Sequence, residues 1–575
     1  MKRILSLLLC TTLMISCNEK QEIKAEPVIA KISSKYSCAP QVSDMSWYGS
    51  NRKAPLFEGL DAVNYPISTK SELAQKYFNQ GFVLAYGFNH AEAARSFYYA
   101  TKLDPDCSMC YWGFAYVLGP NYNAGMEDDN YERAYEAIQK AMELSVQSTD
   151  KEKDLILATS KRYSKIPPED RYSLDVDYSD ALREVQQKYP DDPQIKTLFI
   201  ESVMNLHKWD LQDKKGNDKP WTPEIISGLE EVLAMDSLNP GAHHFYIHAV
   251  EASSTPERAL PSARVFDQGL VAGSGHLLHM PSHVYIRTGD YNAGTLSNIR
   301  AVAADSAYVT LCHAQGAYPL AYYPHNYHFM AATATLEGNT KYALEGAIKV
   351  SEHVYPDLMK EAGWGTLQHY YLIPYYVLVK LGEWDSILEL QMDTHSLPYP
   401  EAIRLYAEGM AHMGKGEPDM ARKLLSQLMS FENDPALEEV SIWDINTVQP
   451  LVQIAVRVLK SEILIEEKNY GEAVKLLNEA VAIEDKLNYD EPPDWFFSVR
   501  HQLGNALIEA GQFEEAIAVY EEDLVRLPKN GWAYHGMLKA YENLNDRENQ
   551  DRISNLIRKH WTTADITLDG SVVRN

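Results

Sequence analysis

Histidines are concentrated in one stretch of this sequence. The chain contains 18 of them, and eleven lie within residues 243–369. Several pairs in this stretch are three or four residues apart, a spacing that places two side chains on the same face of a helix. These pairs are His244/His248, His276/His279, His279/His283 and His325/His328. Each pair could therefore share one metal ion.

A metal site in this stretch would use neutral imidazoles together with a nearby carboxylate, a ligand set that suits Zn, Cu or Fe. The predicted ligands are His244, His248, Glu251, His276, His279, His283, His325 and His328. In the register of helical repeats, His243 and His369 are expected to line the same groove. The alternative is that these rings form ordinary hydrogen bonds with tyrosine, glutamate and backbone groups, as partly buried histidines often do.

Three prolines decide how these histidines can be placed. Pro281 lies between His279 and His283, and a proline inside a helix removes a hydrogen bond and kinks the chain. Either one kinked helix carries both histidines, or a new helix begins at Pro281. Pro374 poses the same question later in the chain, whereas Pro324 suits the first turn of a helix.

Motifs for an enzyme are scarce. The sequence contains no nucleophile elbow, phosphate loop or dinucleotide fingerprint. The spacing of His244 and His248 matches that of zinc proteases, but Phe245 stands where the catalytic glutamate should be. A base would have to come from elsewhere, with Glu251 the nearest candidate and Glu201 a more remote one. The sequence thus leaves open whether the protein is an enzyme.

The elements that position the histidines are predicted from an internal repeat. The same sequence spacing occurs in two places. It separates Gly81, Ala93, Phe97, Ala100 and Pro105, and it separates Gly504, Ala516, Tyr520, Asp523 and Pro528. This spacing resembles the tetratricopeptide repeat, a pair of antiparallel helices. Small residues let the two helices approach closely, and proline ends the second. The fold class we predict is all-α, a right-handed α-solenoid with nine to eleven tetratricopeptide-type helix pairs.

Longer segments resemble one group of bacterial tetratricopeptide proteins that has a histidine-rich centre. The matching segments are FNHAEAARSF, DPDCSMCYWG, NPGAHHFYIHAVEAS, GHLLHMPSHVYIRTGDY and YYPHNYHF. The resemblance begins near residue 56 and covers most of the chain. It implies the helical-repeat fold, and it transfers no function.

The N-terminus has the features of an exported lipoprotein. Lys2 and Arg3 precede a short apolar stretch, which has the length of a signal-peptide core and is too short to span a bilayer. The segment from Met14 to Cys17 resembles a bacterial lipobox, so we predict lipidation at Cys17. The predicted divisions are a signal peptide (1–16), a lipidated tether (17–45), N-terminal repeats (46–240), histidine-rich repeats (241–390) and C-terminal repeats (391–575).

Charge and cysteines constrain the partners and the compartment. The formal net charge is −27, which argues against nucleic acid as a partner. Beyond Cys17, the chain has four cysteines: Cys38, Cys107, Cys110 and Cys312. They allow three full pairings that the sequence cannot distinguish, although an oxidising compartment makes a disulfide plausible. For Cys107 and Cys110, a local disulfide or two buried thiols is favoured over a redox pair.

Three functions fit these observations. The preferred one is a lipoprotein of the bacterial cell envelope, anchored by lipid alone, whose groove binds a protein, a peptide or another ligand and whose histidines hold a metal. The first alternative is a metal-dependent hydrolase or oxidoreductase that uses the same histidines. The second alternative is a glycan-binding lipoprotein of the outer membrane.

Overall fold

The computed structural model describes residues 45–50, 52–312 and 317–574, without the side chain of Cys312. The predicted signal peptide, the lipidation site Cys17 and most of the predicted tether lie outside the described residues. In the described residues we find no helix with both the length and the apolar character needed to cross a bilayer.

Helices make up almost all of the regular structure. They are α1 (Met45–Tyr48), α2 (Glu72–Tyr86), α3 (His90–Leu103), α4 (Ser108–Val117), α5 (Asn130–Leu144), α6 (Asp150–Ser160), α7 (Tyr172–Lys188), α8 (Pro193–Leu206), α9 (Thr222–Met235), α10 (Pro240–Val250), α11 (Leu260–Asp267), α12 (Gly275–His279), α13 (Pro281–Thr288), α14 (Tyr291–Cys312), α15 (Tyr323–Leu336), α16 (Thr340–Glu352), α17 (Thr366–Leu381), α18 (Trp384–Glu389), α19 (Pro398–Gly414), α20 (Pro418–Leu428), α21 (Gln449–Glu466), α22 (Tyr470–Glu484), α23 (Arg500–Glu509), α24 (Phe513–Arg526), α25 (Gly531–Asn543) and α26 (Arg547–His560). A π-helical turn, Tyr318–Tyr322, precedes α15. One antiparallel hairpin consists of β1 (Ser441–Ile442) and β2 (Asn446–Thr447), with Ser441 opposite Thr447.

Consecutive helices pack as pairs from α2 to α26, which confirms the predicted all-α solenoid of helix pairs. In the described residues there are twelve pairs, with α12 and α13 together forming the first helix of one of them. The prediction of nine to eleven was therefore too low. The missed pair is α6 and α7, because its polar connection, with Pro167 and Pro168, hides the repeat spacing.

Aromatic side chains fill the spaces that the repeat glycines leave. Phe97 lies against both Gly81 and Gly113, and Tyr520 lies against both Gly504 and Gly536. Phe97 and Tyr520 are fully buried. The equal spacing of the two repeats in the sequence therefore reflects the same packing of an aromatic ring between glycines of successive helices.

A methyl group at Gly504 is expected to destabilise the protein. The Cβ of Gly504→Ala would overlap the ring of Tyr520, and overpacking of this kind costs about 1–3 kcal/mol. Gly471→Ala is the matched control, because this glycine also lies in a helix but a Cβ added to it would have no neighbour within 4 Å. Thermal unfolding followed by circular dichroism should show a lower midpoint for Gly504→Ala only. Equal midpoints for the two variants would contradict the packing argument.

The central repeats are covered by both ends of the described chain. On the N-terminal side, the ring of Phe88 lies 4.5 Å from that of His244. On the C-terminal side, the indole nitrogen of Trp532 donates to the carbonyl of Thr335 at 2.9 Å, and the amide of Asp565 donates to the carbonyl of Gly338 at 3.0 Å. The solenoid therefore winds back onto itself, and the helices that carry the histidines become interior.

A buried polar network holds the C-terminal repeats together. The Lys380 ammonium donates to Nδ1 of His501 at 2.8 Å, and Nε2 of His501 donates to the Asp523 carboxylate at 3.0 Å. Burial lowers the pKa of Lys380 to about 7, although the negative charge of Asp523 acts in the opposite direction. Asn530 supplies a further hydrogen bond to Asp523 at 2.9 Å.

Cys107 and Cys110 form a disulfide at the start of α4. Both residues are buried. This agrees with the prediction of a local disulfide. The side chains of the other two cysteines beyond Cys17, those of Cys38 and Cys312, are outside the described part of the structure.

Candidate metal centre

Six buried imidazoles gather where α10, α12, α13 and α15 meet. They form two sets, and within each set one nitrogen from every ring lies within 4.8 Å of the others. The first trio is His244, His248 and His276, and the second trio is His279, His283 and His325. All six side chains were predicted as ligands. The structure places them in the interior, at most 8% exposed, and not along an open groove.

The prolines position the second trio. Pro281 begins α13, so His279 ends one short helix and His283 lies in the first turn of the next. Met280, between the two helices, keeps a helical backbone, and the two imidazoles still meet across the junction. Pro324 lies in the first turn of α15, just before His325. Pro374 lies inside α17.

Hydrogen bonds assign the tautomers of most of these rings. A neutral imidazole carries one N–H and one lone pair. Nδ1 of His244 faces the backbone carbonyl of Tyr86 at 2.6 Å. Because a carbonyl can only accept, Nδ1 of His244 is the donor and its Nε2 carries the lone pair. That Nε2 lies 3.1 Å from Nε2 of His276. An ordinary N–H···N bond from His276 would satisfy this contact.

Glu251 joins the two trios. One oxygen of its carboxylate accepts from Nδ1 of His248 at 2.7 Å, and the other accepts from Nδ1 of His283. In the neutral form of either ring, Nε2 therefore carries the lone pair, and the Nε2 of His248 is buried with no hydrogen-bond partner among the described residues. Glu251 was predicted as a direct ligand. Its position behind the rings is that of an outer-shell carboxylate, which orients metal-bound imidazoles.

The contact between His279 and His283 has no hydrogen to share when both rings are neutral. Nδ1 of His279 donates to Oδ1 of Asn298 at 2.7 Å, and the amide nitrogen of Asn298 is occupied by the carbonyl of Gly294 at 2.9 Å. In neutral rings the Nε2 atoms of His279 and His283 would both carry lone pairs, and they are 2.9 Å apart. Two nitrogens bound to one ion at the usual bond length of about 2.0–2.1 Å have a similar separation when their angle is near 90°.

Burial keeps these groups in the protonation states that a metal requires. It lowers the pKa of His244, His276, His279 and His325 well below the usual value, and the neighbouring imidazoles add to the effect. For Glu251, burial acts to raise the pKa, but His283 and His248 outweigh it and lower the pKa to about 2. Burial therefore favours the neutral form of these four rings, and Glu251 behind the cluster is ionised.

Three other predicted histidines lie apart from the trios. His328 stacks on Phe496 with the ring centroids 5.0 Å apart, and neither of its nitrogens has a hydrogen-bond partner among the described residues. His369 is next to it and pairs with the hydroxyl of Tyr399 at 2.9 Å. His243 points elsewhere, because its two nitrogens bond to Ser262 and to the carbonyl of Ser237.

A small cavity of about 30 Å³ opens beside the trios. It is lined by His248 and His276 of the first trio and by His283 and His325 of the second. The rest of its wall comes from residues that the sequence analysis did not predict, namely Asn123, Trp209, Tyr322, Trp443, Asp490 and Glu491. The cavity has room for one or two water-sized groups.

Two irregular segments supply part of that wall. Trp443 lies in the hairpin of β1 and β2, and Asp490 and Glu491 lie in the connection between α22 and α23. Burial raises the pKa of Glu491 to about 7, and burial together with neighbouring Asp494 raises the pKa of Asp490. The sequence signal was the segment DEPPDWFF, where acidic and aromatic residues interrupt the repeat.

A larger cleft of about 760 Å³ adjoins the cavity. Asp490 and Glu491 line both spaces, so these two carboxyl groups stand between the cleft and the imidazoles. Its other walls come from the loop at Gly216, from the end of α13 and from the segment around Pro528.

The fold defines a helical repeat protein with a buried histidine centre, and the comparisons identify the repeat. A tetratricopeptide repeat model matches residues 497–522, the helix pair in which the sequence spacing was recognised. The prediction of a tetratricopeptide protein is thereby confirmed. Repeats of this type are protein-interaction scaffolds. No curated protein sequence matches the chain.

Several solved structures resemble the chain weakly. A human IFIT1 dimer with m7Gppp-AAAA is 11% identical, with 92% of this chain and 98% of that one covered at a TM-score of 0.31. Yeast Tom70 is 13% identical, with 84% and 98% covered at a TM-score of 0.32. The Cut9–Hcn1 structure is 12% identical, with 87% and 79% covered at a TM-score of 0.28. At these values the functions of those proteins do not transfer.

Proposed function

We propose that the protein binds a transition metal at its buried imidazoles. The observation that carries the proposal is the contact between Nε2 of His279 and Nε2 of His283 at 2.9 Å. Both Nδ1 atoms are committed as donors, to Asn298 and to Glu251. In neutral rings the two buried lone pairs would face each other and repel, and a metal cation between them would turn the repulsion into coordination.

The surroundings of the imidazoles support the same function. Metal-bound histidines almost always donate their second nitrogen to a carboxylate, a backbone carbonyl or water. His248, His283 and His244 do so, and His279 donates to the side-chain oxygen of Asn298. Zinc, copper and iron are among the metals that accept imidazole ligands.

Metal analysis of the purified protein, prepared without a polyhistidine tag, tests the proposal. We expect at least one equivalent of zinc, copper or iron per chain, and a lower content in His279→Ala. The matched control is His328→Ala, which removes a buried histidine outside both trios and should leave the content unchanged. A protein that contains no metal and takes up none on titration would reject the proposal.

A metal-dependent enzyme is the second candidate, and the position of Glu491 favours it. This carboxyl group lines both the cleft and the cavity beside the imidazoles. A carboxyl group with a pKa near neutrality can accept and return protons during catalysis. Turnover of a model ester or of a diphenol by the metal-loaded protein, lost in Glu491→Gln with the metal retained, would support this candidate. Equal turnover in that variant would reject it.

The cleft also suits the scaffold role, because a peptide or protein segment bound there would contact Asp490 and Glu491, which also line the cavity.

For the location we propose the bacterial cell envelope, with the protein attached to the outer membrane by lipid on Cys17. The lipobox-like segment that ends at Cys17 supports this location. Release of Cys17→Ser from the membrane fraction would support the anchor, and unchanged membrane association would reject it.

A further inference from the structure

The two trios are close enough to act together. Ring centroids within a trio are 4.9 Å apart for His244 and His276. Between the trios they are 5.5 Å apart for His248 and His283, and 5.7 Å apart for His276 and His279. The centroid separations between rings of different trios are thus less than one ångström longer than the separation between His244 and His276 in the first trio.

Glu251 is hydrogen-bonded to one ring of each trio. Its carboxylate has one oxygen on a ring of the first trio and the other on a ring of the second. The same carboxylate therefore fixes the lone pairs of His248 and His283 toward the interior of the cluster. Two ions held in this way would lie within a few ångströms of each other, as in two-metal sites with separations of about 3.5–4 Å.

Building on the proposed metal binding, we infer that each trio holds one copper ion and that the two ions form a dinuclear centre. Each trio offers three imidazole nitrogens, a set that copper accepts. Copper also binds most tightly among the divalent ions of its row. Its monovalent form suits a buried site of neutral ligands backed by the single carboxylate of Glu251, because burying charge without compensation is costly.

The cavity defines the ligand of this centre. Rings from both trios line it, so a group inside it would contact both ions. A volume of about 30 Å³ has room for only one or two water-sized groups. The ligand class is therefore a small donor, of the size of water or hydroxide, that bridges the two ions.

Copper stoichiometry and electron paramagnetic resonance test whether the intact protein holds a pair of neighbouring copper ions. The protein is loaded with Cu(I) under nitrogen, analysed for copper, and oxidised with ferricyanide. We expect two coppers per chain and a Cu(II) signal far below two spins, because bridged neighbouring ions couple. One copper per chain, or two with full spin intensity, would overturn the pair while leaving the proposed metal binding intact. A protein that binds no metal would reject both.

Single variants then assign each ion to its trio. His248→Ala and His325→Ala should each lower the content from two coppers to one, and the remaining Cu(II) should give a full one-spin signal. The control His328→Ala should keep two coupled coppers. Circular dichroism establishes that each variant is folded. Loss of both coppers from a folded His248→Ala or His325→Ala variant would show a single shared site and overturn the assignment.

Discussion

Replacing Glu251 with glutamine is expected to weaken metal binding by about 10–100-fold, the usual cost of losing an outer-shell partner. The carboxylate accepts from His248 and from His283 at the same time. Glutamine keeps the shape but has only one accepting oxygen, so its amide N–H groups would face one of the two Nδ1–H donors. That imidazole must then move its hydrogen to Nε2, which removes the lone pair that binds the metal.

Competition with a chelator of known affinity measures this change in the metal-loaded protein. The control is Glu201→Gln, which replaces another fully buried glutamate, hydrogen-bonded to the hydroxyl of Tyr116 and not to an imidazole. Burial raises the pKa of Glu201, so glutamine resembles its protonated form. Equal affinities for Glu251→Gln and the unmodified protein would show that the carboxylate does not orient metal ligands.

Asp523→Asn is expected to destabilise the C-terminal repeats by about 1–3 kcal/mol, the usual cost of disrupting a buried, hydrogen-bonded polar group. Asp523 is fully buried and accepts from His501 and Asn530. Its negative charge also favours the protonated form of Lys380. The variant therefore leaves the Lys380 ammonium in the interior without a counter charge.

The stability lost in Asp523→Asn should be larger at low pH than at high pH. With its pKa lowered to about 7 in the folded protein, Lys380 costs stability below that pH and progressively less as the pH rises above it. The effect of Asp523→Asn should therefore be larger at pH 6 than at pH 9. Amide hydrogen exchange in α23–α25 measures it locally. Asp569→Asn is the control, since this carboxylate is 91% exposed in its pair with Lys539; an equal loss there would contradict the argument.

The sequence predicted the helix pairs and the six imidazoles because both depend on local spacing. The steps from Gly504 to Tyr520 report a contact within one helix pair. His244 and His248, likewise, lie one turn apart on α10. Even the change of helix at Pro281 was among the alternatives that the sequence left open, since proline has a fixed preference for the first turn.

The burial of the site could not be predicted in this way. It depends on contacts between residues far apart in the chain, such as the carbonyl of Tyr86 on His244 and the indole of Trp532 on Thr335. Repeat spacing describes a helix and its neighbours, and it carries no signal for where a superhelix closes. For the same reason, Trp443 and Glu491, which come from segments outside the repeat, were missing from the predicted site.

The closure of the solenoid also restricts how the protein can evolve. Open repeat proteins can change length by duplicating or losing a unit, because each unit contacts only its neighbours. Here Trp532 and Trp561 on the C-terminal side reach the carbonyls of Thr335 and Leu336. Losing one helix pair between these points would move both indoles away from their acceptors and uncover the histidines. The number of repeats between α15 and α25 is therefore as much a requirement of the buried histidine cluster as its imidazoles are.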